Sequence, residues 1–127
     1  MPGELKSVAN DFVAALDSKD VDRLVEDATD DAQGVDEISR RWLRGRSELD
    51  SYLRQLMGAV NDLRTELRDA EEHIWGDVGV LTCWLNQDYT LDGSAQHVSA
   101  PTTIVFRRVD GGWKLALFHS IPLPEQQ

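Results

Sequence analysis

Cysteine occurs once in the 127 residues, at Cys83, so no disulfide can form within the chain. Set among Leu81, Trp84 and Leu85, that thiol reads as a small buried hydrophobe rather than a nucleophile. Proline is scarce, at four residues, and no Pro/Gly/Ser-rich stretch or shift in composition divides the chain. One domain spanning residues 1–127, long enough to bury a sizeable core, is expected. Long apolar runs are missing as well. The opening MPGELKSV lacks a hydrophobic signal core, and the most apolar stretch, Gly79 to Leu85, is far too short to span a bilayer. A cytoplasmic protein without membrane contact follows as an expectation. Cations are few, 13 Lys and Arg against 23 Asp and Glu, for a formal charge of -10. Such a surface repels phosphate backbones, so no nucleic-acid partner is expected. His73, His97 and His119 fall on separate predicted strands without the spacing of paired ligands, and neither a Gly-rich loop ending in Lys-Ser/Thr nor a Gly-x-Ser-x-Gly elbow is present. No metal and no cofactor are predicted.

What is present is a change of period along the chain. Leu5, Val8, Phe12 and Leu16 recur at steps of three and four, one stripe of a helix of roughly four turns. Asp17 to Asp20 interrupt it with capping residues, and Val21, Leu24, Val25 and Ala28 begin a second, shorter helix that the acids from Asp27 to Asp31 end. Between Ala32 and Gly45 the pattern is poor and reads as two short strands. Leu49, Tyr52, Leu53, Leu56 and Met57 share a third helical face, with Ser47 placed to cap its start and Gly58 to take a left-handed exit. Residues 60–75 fit two descriptions. Val60, Leu63, Leu67, Ala70 and Ile74 continue a helical repeat, whereas Leu63, Thr65 and Leu67 alternate with Arg64, Glu66 and Arg68 as a half-exposed strand with a bulge near Ala70. Beyond them, turns at Gly76-Asp77, Asp92-Gly93 and Asp110-Gly111-Gly112 separate runs rich in strand formers, Val78 to Thr90, His97 to Val109, and a last strand from Trp113 that Pro122 and Pro124 close. Helices first and an antiparallel meander afterwards predict an α+β fold with the helices on one face of a curved sheet.

The order of elements, Gly45-Arg46 before the third helix, Gly76-Asp77 before a strand, and the ending Asp110-Gly111-Gly112-Trp113 to Phe118-His119-Ser120 resemble the nuclear transport factor 2-like superfamily over almost the whole chain. The closest pattern is the SnoaL-like group, near the association domain of calcium/calmodulin-dependent kinase II. The resemblance implies a cone-shaped antiparallel sheet with about three N-terminal helices on its concave side, and makes residues 62–75 a strand. In the association domain three arginines and a helix-three histidine line the cavity; matched gap by gap, those positions fall on Asn86, Ile104, Ser120 and Tyr52. With no arginine among them, the pocket implied here takes a small neutral, mostly apolar molecule. Alternation brings Trp84, Phe106 and Phe118 to the same side as an aromatic wall, or as core that simply fills the cone.

The opposite face would then carry Leu81, Cys83, Leu85, Val105, Trp113, Leu115, Leu117 and His119, an apolar patch that a homodimer through the sheet would cover. Relatives that isomerise steroids use an early-strand aspartate with a tyrosine and a protonated acid. Asp36 matches the base, but Phe12 replaces the tyrosine and the third position falls on Val105 or its neighbour; no acid lies between Gly111 and Pro124 to match the late-strand aspartate of SnoaL-like cyclases. Three functions follow as expectations: ligand binding without turnover, an isomerase or cyclase using Asp36 as general base, or an oligomerisation scaffold with a filled cone. The island Arg40, Arg41, Arg44 and Arg46 reads as a surface balancing local acids, or as a seat for an anion at the pocket mouth.

Overall fold

In a computed structural model of the chain, which describes residues 3–124, the first apolar stripe forms helix α1, Glu4–Asp17, burying Leu5, Ala9, Val13 and Leu16. Its first turn is tied to the sheet by Leu5 N–H, which donates to Glu72 Oε2 at 2.7 Å and so satisfies one of the donors a helix start leaves open. Helix α2, Val21–Glu26, is capped by Asp20, whose side chain accepts from Arg23 N–H. Strand β1, Ala28–Asp36, starts four residues earlier than the sequence pattern suggests, because Ala28 and Ala32 are small enough to lie flush beneath the helices in spite of the acids between them. The second short strand shrinks to β2, Leu43–Arg44.

Helix α3, Gly45–Ala59, differs from expectation at both ends. Its N-cap is Arg44 rather than Ser47, with Glu48 reaching back to accept Arg44 N–H at 3.0 Å. Gly58 stays helical, and the chain leaves through Val60 in extended conformation straight into β3, Val60–Trp75. The helical alternative for this segment is thereby excluded, and the implied strand is present. Its register slips between Arg68 and Glu71, where the phase change near Ala70 called for a bulge. Strands β4, Val78–Leu91, β5, Ser94–Val109, and β6, Gly112–Ser120, complete the meander. At both Asp92-Gly93 and Asp110-Gly111 the two residues take positive φ, as a two-residue turn matched to the twist of a hairpin requires.

The six strands form one curved, unclosed sheet in the order β2-β1-β6-β5-β4-β3. It is mixed rather than wholly antiparallel: β1 runs parallel to β6, with α3 and the meander forming the crossover between them. The inner face meets the helices in two core clusters. One packs Leu5 and Ala9 onto Leu81, Cys83, Ile104 and Phe106; the other gathers Leu16, Leu24, Met57, Val60, Tyr89 and Val98.

Two face assignments are corrected here. Along β4 the odd residues Leu81, Cys83, Leu85 and Tyr89 are buried, so Trp84 and Asn86 lie on the outer face, with Trp84 40% exposed. Along β6 a bulge opposite Val105 and Phe106 puts Leu115 inward together with Phe118 and Ser120, leaving Leu117 and His119 outward. Trp113 is also inward, packed on the first cluster and donating Nε1–H to Glu4.

Candidate functional site

Between α1, α2, α3 and the inner face of the sheet lies a cavity of about 100 Å³. Its walls are aliphatic and aromatic, with Phe12 from α1, Leu49 and Leu53 from α3, Leu85 from β4 and Phe118 from β6; the Phe12 and Phe118 rings are 5.6 Å apart and tilted. Its polar groups are Asp36, Glu37, Tyr52, Gln87, Tyr89 and Ser120, and no Lys, Arg or His is among the lining residues.

Those six side chains are held in pairs and chains. Strand β1 ends at Asp36, where a turn begins: Asp36 Oδ1 accepts the N–H groups of Ile38 at 3.0 Å and Ser39 at 2.8 Å. Tyr52, one face of α3 above that turn, donates its hydroxyl to Asp36, at 2.8 Å from Oδ1 and 2.9 Å from Oδ2. Glu37, the next residue, accepts the hydroxyl of Tyr89 from β4 at 2.8 Å. Two consecutive acids thus receive two phenols from opposite sides of the cavity. Burial pushes both phenols above their ordinary range, reinforced for Tyr52 by the charge of Asp36 and for Tyr89 by its bond to Glu37. Both stay protonated donors at any working pH.

On β6, Ser120 Oγ lies 2.8 Å from Thr102 Oγ1, which itself donates to Ala100 O at 3.1 Å. Gln87 Nε2 donates to Thr65 Oγ1 at 3.0 Å, and Thr65 passes its proton to Asp17 Oδ1 at 2.7 Å.

Of the residues expected at the site, Asp36, Tyr52, Phe118 and Ser120 meet at this cavity. Ile104 and Phe106 are buried in the first core cluster and do not line it, while Trp84 and Asn86 are on the other side of the sheet. Gln87 occupies the inward position expected of Asn86. Glu37, Gln87 and Tyr89 join it without having been expected from the family pattern, although the alternation of Leu81, Cys83 and Leu85 with Thr82 and Asn86 already marks the odd residues of β4 as inward. The arginine island serves the scaffold: Arg46 donates to the carbonyls of Val25, Glu26 and Ala28 and pairs with Asp30 at 2.9 Å, and Arg44 Nε donates to Gln33. Among the described residues no group of three or more His, Cys, Asp or Glu is arranged to hold a metal, and no helix is long and apolar enough to cross a membrane.

Comparison with known proteins agrees with this geometry. The family model for the SnoaL-like domain matches residues 5–124. Similar solved structures include a candidate dehydratase of the NTF2-like family from Streptomyces avermitilis, 21% identical, with a TM-score of 0.87 over 96% of each chain. A candidate calcium/calmodulin-dependent protein kinase II association domain from Xanthomonas campestris is 18% identical, TM-score 0.85, over 97% of this chain and 88% of that one. A ketosteroid isomerase-like protein from Erwinia carotovora atroseptica is 16% identical, TM-score 0.81, over 97% and 96%. At these identities the likeness is one of fold. No curated protein matches the chain.

Proposed function

The chain belongs to the SnoaL-like domain family, and from that membership we propose that it binds a small, neutral, mostly apolar molecule in the cone cavity. The observation that carries this reading is the hollow itself, about 100 Å³ walled by apolar side chains with no cation among its lining. A carboxylate guest would meet Asp36 and Glu37 without a compensating charge, whereas a neutral one gains by removing apolar surface from water. A scaffold with a filled cone fits less well, since one water needs only about 10–15 Å³ on this measure. Screening a panel of small apolar metabolites by thermal shift tests the proposal: at least one raises the melting temperature in a dose-dependent way, and a panel with no effect overturns it.

A second reading, an isomerase or cyclase with Asp36 as general base, is favoured by one observation, the Tyr52 hydroxyl on that carboxylate beside the cavity. Oδ1 is engaged by three donors and Oδ2 by Tyr52 alone, so Oδ2 is the atom that would take a substrate proton. On this reading Asp36→Asn abolishes activity while the melting temperature barely moves, because the amide oxygen still accepts the turn N–H groups; activity that survives the change rules it out.

We further propose that two copies pair through the outer face of the sheet, where Val80, Val105 and Leu117 align across three strands and Trp42 and Trp84 are each 40% exposed.

A further inference from the structure

Resting on the reading of the cavity as a binding site, we propose that its guest carries a hydrogen-bond donor, a hydroxyl or amino group on a small apolar body, and that carbonyl-only molecules and carboxylates are rejected. The argument follows the protons. A carboxylate brings none, so Asp36 and Glu37 can only accept. The single protons of Tyr52 and Tyr89 are committed to those two acids. Thr102 gives its proton to the Ala100 carbonyl, so the short contact between Thr102 and Ser120 is satisfied by Ser120 as donor, which leaves Ser120 Oγ only lone pairs.

Gln87 is oriented by the same logic from further away. Thr65 donates to Asp17 and can therefore only accept from its other neighbour, which places the Gln87 nitrogen at Thr65 and turns Oε1 to the other side. Among the lining side chains, the second N–H of Gln87 is the one proton these bonds leave over. The polar side chains of the cavity wall thus offer many lone pairs against a single spare donor.

The consequence for a guest is one of mismatch. A ketone entering this site loses its water hydrogen bonds and finds almost nothing to replace them, a penalty that a hydroxyl or amine avoids by donating to Asp36 Oδ2, Glu37 or Ser120. A carboxylate suffers the same loss and adds repulsion from two acids. The pattern also bears on chemistry, because an enolate oxygen needs at least one firm donor and the three hydroxyls here are aimed elsewhere.

The test uses five probes that share one ring: cyclopentane, cyclopentanol, cyclopentylamine, cyclopentanone and cyclopentanecarboxylate, each titrated against the intact protein and followed by backbone amide chemical shifts. Cyclopentanol is expected to bind about tenfold or more tighter than cyclopentanone and the carboxylate, the ratio one hydrogen bond confers, while cyclopentylamine, a cation at neutral pH, adds attraction to the two acids and serves as the charged control. In Asp36→Asn, whose amide can donate to Tyr52 and release the phenol proton toward the cavity, the preference for the alcohol over the ketone should fall or reverse. If that variant does not fold, Glu37→Gln, whose amide brings a donor of its own beside Tyr89, is expected to narrow the same preference for cyclopentanol over cyclopentanone. Cyclopentanone binding as tightly as cyclopentanol overturns the donor requirement but leaves the binding site intact. If none of the five binds, cyclopentane included, the binding reading beneath it falls as well.

Discussion

A methyl group at position 79 is the smallest change that tests how closely helix α1 sits on the sheet. A Cβ there would lie 2.6 Å from Leu5 Cδ1 and 3.3 Å from its Cγ, and Leu5 is fully buried, so it cannot swing into solvent to make room. Gly79→Ala is therefore expected to destabilise by about 1–3 kcal/mol in chemical denaturation, the usual cost of overpacking. The double change Leu5→Ala with Gly79→Ala should cost less than the sum of the two, because each relieves the other. Cys83, on the same strand, supplies a pH test. Burial pushes its thiol up to about 11, while the unfolded thiol ionises near the ordinary 8.5. The unfolded state thus loses its proton first, and the stability this thiol contributes, complete below pH 8, is lost as pH rises toward 11. Cys83→Ala should flatten the part of the alkaline decline that precedes tyrosine ionisation, and the native thiol at pH 8 should resist Ellman's reagent until the protein is unfolded. Rapid labelling of the native protein would show the burial to be wrong.

Strand β3 is the element on which the fold turns, and its two irregularities have a common residue type. Asp62 and Asp69 take φ of 54° and 53°, and each sits where the pairing with β4 slips. A left-handed residue lets the strand absorb an extra position, and aspartate tolerates that conformation better than most side chains. Asp69 is exposed, so its substitution tests backbone conformation rather than packing. Asp69→Gly should be neutral or slightly stabilising, whereas Asp69→Val should cost about 1–2 kcal/mol, read as a shift in urea midpoint at constant slope. Equal effects of the two would mean the positive φ carries no strain. These bulges also mark where reading the sequence succeeds and fails. Turn chemistry and period announce every helix and the three long hairpin strands, and the break near Ala70 is visible as a change of phase. Residues 60–75 stay ambiguous locally because a half-exposed strand interrupted by bulges imitates a helical repeat; pairing with β4 decides between them. The bulge in β6 leaves no such trace, so Trp113 and Leu115 are read onto the wrong face. At the cavity, Asp36, Tyr52, Phe118 and Ser120 were legible from a family resemblance. Matching the family's gaps puts Trp84 and Asn86 one residue out of phase with the alternation of β4, whose odd residues face inward.

At the scale of the whole molecule, the outer face of the sheet asks for a cover. Cross-strand partners share a face, so the pairs Val80 with Val105 and Val105 with Leu117 form an apolar row, Thr82, Thr103 and His119 a second, and Trp84 beside Pro101 a third. Trp42 extends this surface by lying against the His119 ring at 5.9 Å. Two copies joined here should run in light scattering at about twice 14.3 kDa. Each copy carries a formal charge of -10, so their repulsion opposes pairing and added salt should tighten it, contrary to an interface held by ion pairs. Trp84→Glu places a charge in the apolar contact and should yield monomers. Because Trp84 lies on the outer face while its neighbour Leu85 lines the cavity, the same variant should leave the affinity for an apolar guest unchanged, which separates loss of pairing from loss of fold. A wild-type protein that remains monomeric at tens of micromolar in high salt would rule out this pairing, since a specific interface of more than about 1,000 Å² is expected to persist under those conditions.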